Sequence, residues 1–90
     1  MLDRVKLALR VTTSAFDDEI NGLIKSALID LGIVGIDASV LAAADELVTT
    51  AVITYVKLHF GEPSDPDRLK RSYDEQKAQM ITATGYGLEL

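Results

Sequence analysis

The chain has no cysteine, which excludes disulfides and every thiolate metal site. It has no surplus of positive charge either. Nine Lys and Arg stand against fourteen Asp and Glu, for a formal net charge of −5. Phosphate neutralisation supplies most of the affinity of a free-standing nucleic-acid binder, so this balance argues against one. No apolar run approaches the roughly 20 residues needed to cross a bilayer. At the N-terminus Leu2 is followed by Asp3, Arg4 and Lys6, without the long apolar segment of a signal peptide. The expectation is a soluble intracellular protein that has no membrane partner. There is no internal repeat and no low-complexity tract.

What the chain does have is apolar material. Its 90 residues make one domain. A chain of this size buries only about 60–65% of its unfolded surface. Yet 48% of its residues are hydrophobic and only 26% are charged, more than so small a core obviously needs. The surplus is accounted for either by a tightly packed small bundle or by burial against other subunits.

The periodicity predicts an all-α fold of about four helices. The first is short, residues 2 to 10, with Leu2, Val5 and Leu9 at helical spacing. The β-branched Val11-Thr12-Thr13 interrupts it. A second helix starts near Ser14 to Phe16, where Ser14 and Asp17 resemble a capping box and Asp17, Asp18 and Glu19 suit the positive end of the helix dipole. Its stripe is Phe16, Ile20, Leu23, Ile24, Ala27, Leu28 and Leu31, and Gly32 is the expected terminator. After a connector at 32 to 39, a third helix is expected over about 40 to 60. It is apolar around much of its circumference, as a central helix would be, and Gly61 ends it. Asp65 then caps a fourth helix over about 66 to 83, with Pro66 at its first position. The apolar stripe of that helix is thin, carrying Leu69, Tyr73 and Met80. This predicts a protruding C-terminal helix. Residues 1–83 would form the domain and 84–90 a flexible tail.

No catalytic constellation is present. His59 is the only histidine, and without a cysteine or second histidine it reads as a favourable group near a helix C-terminus. Asp65 and Asp67 do not make a calcium loop, because Leu69 stands where a third oxygen ligand is required. Asp17, Asp18 and Glu19 point in different directions from successive helical positions, so capping explains them better than a metal. The serines lie in no nucleophile motif, and Gly32-Ile33-Val34-Gly35 lacks the lysine and length of a phosphate loop. The reading is a non-enzyme without a cofactor or metal. Arg68, Lys70, Arg71 and Lys77 concentrate positive charge on the last helix, either as a solvated face laced with i,i+4 pairs or as a docking face.

The order of "LDRVKLALRVTTSAFDDEINGLIKSALIDLGI", "AVITYVKLHFGEPSDPDRLKRSYDEQKAQM" and the final "TATGY" resembles the small head–tail connector proteins of tailed bacteriophages, also called head-completion or DNA-packaging adaptor proteins. The resemblance covers most of the chain and is weakest over 33 to 46. It implies a structural subunit that forms a homo-oligomeric ring under the capsid portal and extends the DNA channel toward the tail. It further implies the virion neck as location, assembly in the host bacterial cytoplasm, the portal protein and a downstream neck or tail-completion protein as partners, and DNA passing through without sequence-specific binding. With it, Ile29, Ile53 and Phe60 become candidates for the subunit interface. Arg68, Lys70, Arg71, Tyr73, Lys77, Met80, Tyr86 and Leu88 become candidates for portal docking. The rival reading is a small helical nucleic-acid-binding or regulatory module that uses the basic face of the last helix.

Overall fold

The computed structural model describes residues 1–83, which form five α-helices: α1 Leu2–Leu9, α2 Asp17–Ile33, α3 Ala38–Ala43, α4 Glu46–His59 and α5 Pro66–Thr82. The chain is all-α, with one helix more than the pattern suggested. The expected helix over 40 to 60 is two. Ala44 adopts the left-handed conformation (φ 47°) and Asp45 restarts the chain as an N-cap, its carboxylate accepting from the Val48 N–H at 3.0 Å. A left-handed alanine costs about 1–2 kcal/mol, and a good N-cap returns about 1. Asp45→Ala should therefore lower stability by about 1 kcal/mol, read as a shifted thermal midpoint. An unchanged midpoint would mean that packing alone holds the break.

Two other boundaries differ from expectation. Helix α2 runs through Gly32 and ends one turn later. Gly35 takes the left-handed position (φ 106°), the Ile36 N–H reaches the Leu31 carbonyl, and the Gly35 N–H reaches that of Gly32. This is a Schellman arrangement, which an apolar pair across the turn frequently accompanies. Leu31 and Ile36 supply it, both buried. At the other end the N-cap is Phe16, with no side-chain cap, so Ser14 and Asp17 do not form a capping box; the Asp17 N–H bonds the Ser14 carbonyl instead. The start of α5 is as expected, with the Asp65 carboxylate accepting from the Arg68 N–H at 3.1 Å and Pro66 in the first turn.

The described residues span 42 × 26 × 18 Å. A helix with its side chains is about 10 Å across, so the thinnest dimension holds two layers. Helix α4 is central and packs against α1, α2 and α5. Val48, Ala51, Val52 and Val56 from α4 meet Ile20, Ile24, Ala27 and Leu31 from α2, with Val5 of α1 and Tyr73 and Met80 of α5 closing the core. Two buried threonines are satisfied locally: the Thr49 hydroxyl bonds the Ala44 carbonyl, and that of Thr54 bonds the Thr50 carbonyl. The ion pair of Lys6 with Asp17 (2.7 Å) joins α1 to α2, and the two-pronged pair of Arg4 with Glu46 (2.8 and 3.0 Å) joins α1 to α4. No helix among the described residues is long and apolar enough to cross a membrane.

Candidate interaction surfaces

Helix α5 does not stand away from the bundle. Its stripe is short of apolar residues, but the two largest are buried, Tyr73 and Met80. Both were candidates for portal docking, and both are instead spent on the subunit's own packing. The Tyr73 ring meets the Tyr55 ring edge-on at 5.3 Å, and its hydroxyl donates to Asp30 of α2 at 2.6 Å. Lys77 lies on the same face. Its ammonium is 3.3 Å from Asp30 and 3.6 Å from Asp74, and it sits 4.7 Å from the Tyr73 ring centroid. Burial, with help from the bond to Asp30, raises the Tyr73 hydroxyl well above the usual tyrosine pKa. Asp30 therefore ties α5 to α2 through a neutral donor and a cation.

Beside this clasp runs an open groove of about 420 Å³, lined in part by Tyr55, Leu58, His59 and Lys70. The His59 ring rests on Tyr55 at 4.3 Å, in the last turn of α4. The acids facing the groove already have bases: Asp30 has Lys77, and Asp74 has Lys70 at 3.0 Å as well as Lys77. The bond from Lys70 holds the Asp74 carboxylate below the usual range. The two carboxylates facing the groove are thus neutralised by lysines, and His59 stands beside them with its ring on Tyr55.

The basic face of α5 is similarly occupied. Arg68 lies 3.8 Å from Asp65, while Lys70 and Lys77 are paired as above. Arg71 has no ion pair among the described residues. Arg68, Lys70 and Arg71 are exposed and Lys77 is half-buried. Tyr86 and Leu88 lie outside the described residues.

Of the three subunit-interface candidates, Ile29 is exposed, at 64%. Ile53 and Phe60 are half-buried and packed on the core, Phe60 with its ring edge-on to Phe16 at 5.7 Å. Sequence reasoning missed the two most exposed large apolar side chains, Leu7 (79%) and Ile33 (77%). Leu7 lies off the Leu2–Val5–Leu9 stripe, and Ile33 was placed in a connector. Their signal was an apolar residue on the wrong side of a clear stripe.

The outer face of α2 has a further feature. Asp18, Gly22, Lys25, Ile29 and Ile33 follow one another at helical spacing, opposite Ile20, Ile24, Ala27 and Leu31, and all five are exposed. Gly22 sits inside the helix, where glycine costs about 1 kcal/mol relative to alanine. A Cβ built there would meet nothing within 4 Å. Nothing among the described residues requires that glycine.

The comparisons agree with the architecture. The family model described as phage connector protein matches residues 1–87. No curated protein and no solved structure matches significantly. With all but its last three residues matched, the chain belongs to the phage connector protein family.

Proposed function

We propose that this chain is a head–tail connector subunit that assembles as a ring beneath the capsid portal and extends the DNA channel toward the tail. It acts by docking and does no chemistry. The observation that carries this reading is the near-complete family match joined to apolar side chains the subunit leaves in water, Leu7, Ile29 and Ile33. A ring subunit has a use for them. The acidic balance fits a channel through which DNA must slide, since a basic lumen would hold the duplex. The exposed groups of α5 (Arg68, Lys70 and Arg71), together with residues 84–90 including Tyr86 and Leu88, are the parts we assign to the portal.

Native mass spectrometry of the protein with its cognate portal tests the reading. The expected result is a ring, free or formed on the portal. Deleting residues 84–90 should weaken portal association about tenfold or more, as loss of a docking hot spot does, while the helical signal and thermal midpoint stay put. A strict monomer that ignores the portal would overturn the proposal. The nucleic-acid alternative is disfavoured by the ion pairs on Arg68, Lys70 and Lys77. It demands DNA affinity that falls steeply with salt.

A further inference from the structure

Resting on the ring reading, we propose which faces meet: the outer face of α1 of one copy packs antiparallel on the outer face of α2 of the next, with Leu7 seated over Gly22. On α1, Asp3 and Leu7 lie at helical spacing, away from Leu2, Val5 and Leu9, and Arg10 follows as the left-handed C-cap residue (φ 59°); all three are exposed. On α2 the matching run is Asp18, Gly22 and Lys25, also exposed. Asp3, Arg10, Asp18 and Lys25 make no ion pair among the described residues. Laid antiparallel, acid–leucine–base faces base–glycine–acid. The steps are four and three residues along Asp3, Leu7 and Arg10, and three and four along Lys25, Gly22 and Asp18 read against the chain. Asp3 then meets Lys25 and Arg10 meets Asp18, on either side of a leucine that fills the space a glycine leaves.

The occupant is a second copy because both halves of the match belong to this chain. Among the described residues nothing packs where a Gly22 side chain would lie, and a closely approaching helix would use that space. Ile29, one turn past Lys25, extends the same strip as apolar surface for the N-terminal end of the incoming helix. The two faces differ, so the contact is head-to-tail, and repetition closes a ring when the rotation permits.

The absence of cysteine gives a clean test. Leu7→Cys and Gly22→Cys both fall on exposed positions, and the Cβ at 22 has open space, so both should fold. Mixed and oxidised on the cognate portal, the two single variants should yield a covalent dimer far in excess of either alone. No excess in the mixture overturns the face assignment. Native mass spectrometry of the unsubstituted chain separates the cases. A ring without the crosslink removes only this pairing, whereas no ring removes the pairing and the ring reading together. Gly22→Leu supplies a second readout. The subunit should melt at the same or a higher temperature, and self-association should weaken about tenfold or more. Undiminished association would overturn the proposal. Asp3→Lys should weaken association about two- to fivefold, and Lys25→Asp in the same chain should restore it. Failure of the double exchange to restore it counts against the antiparallel register.

Discussion

Tyr73→Ala should lower the unfolding free energy by about 3–5 kcal/mol, the usual cost of removing a buried aromatic side chain. Tyr73 is 4% exposed, packs edge-on against Tyr55 and bonds Asp30 across to α2. A small domain has about 5–15 kcal/mol in total, so the variant should sit near the edge of folding at 37 °C. Tyr73→Phe keeps the ring and loses only the hydroxyl bond, with Lys77 still beside Asp30. Its cost should be about 1.5–3 kcal/mol, the range for a hydrogen bond to a charged group. Urea denaturation followed by circular dichroism separates the two variants. If Tyr73 instead served a partner, Tyr73→Ala would weaken portal binding and leave the urea midpoint where it was.

That result bears on how α5 should be understood. By residue type it is a charged helix with a thin stripe, and such a helix suggests a detached arm. The structure gives it a firmer seat with few apolar groups. The stripe is closed by amphipathic side chains. Lys77 lays its stem along the bundle and keeps its ammonium at the Asp30 and Asp74 carboxylates, over the Tyr73 ring. Counting apolar residues undervalues a helix of this kind, because the methylenes of lysine bury area that a residue-type pattern scores as polar. The seat leaves the outward groups of α5, Arg68, Lys70 and Arg71, facing solvent on a helix that is already ordered. A partner that binds this face does not have to fold it first, and less of the binding energy goes into ordering.

The legible parts of the fold were those set by local chemistry. Asp65-Pro66 announced the start of α5, and the stripe from Ile20 to Leu31 fixed the inner face of α2. The missed parts were decided by competition between neighbours. The alanines at 42 to 44 are good helix formers and read as continuous helix, yet Asp45 three residues before Val48 is a cap and wins. Gly32 and Gly35 are three apart and either could have ended α2. The pair Leu31 and Ile36, buried together across the Schellman turn, favours the second. The surface was less legible than the core. Ile53 and Phe60 were placed outside because they lie off the centre of the α4 stripe, but α4 is covered on several sides and half-buries both. Ile29 and Ile33 lie on the outer face of α2, opposite its buried stripe, and there an off-stripe apolar residue does reach water.

The clasp also predicts an alkaline weakness. Burial and the bond to Asp30 raise the folded-state pKa of Tyr73, whereas an unfolded tyrosine ionises near about 10. The sign follows from which state gives up its proton. Above about pH 10 the unfolded chain loses the Tyr73 proton and the folded chain keeps it, so the unfolded state is favoured. The contribution is complete below about pH 10 and declines by about 1.4 kcal/mol for each pH unit above it, reaching about 3 kcal/mol near pH 12. Tyr73→Phe has no proton to lose at this position and should not show that component. Urea midpoints measured from pH 8 to 12 for both proteins should start apart, with the wild type more stable, and then converge and cross as the wild type loses its advantage. Parallel curves would mean that the phenol ionises freely in the folded state and that Asp30 is held by Lys77 alone. The convergence would show that the folded clasp holds the Tyr73 hydroxyl in its neutral, donating form.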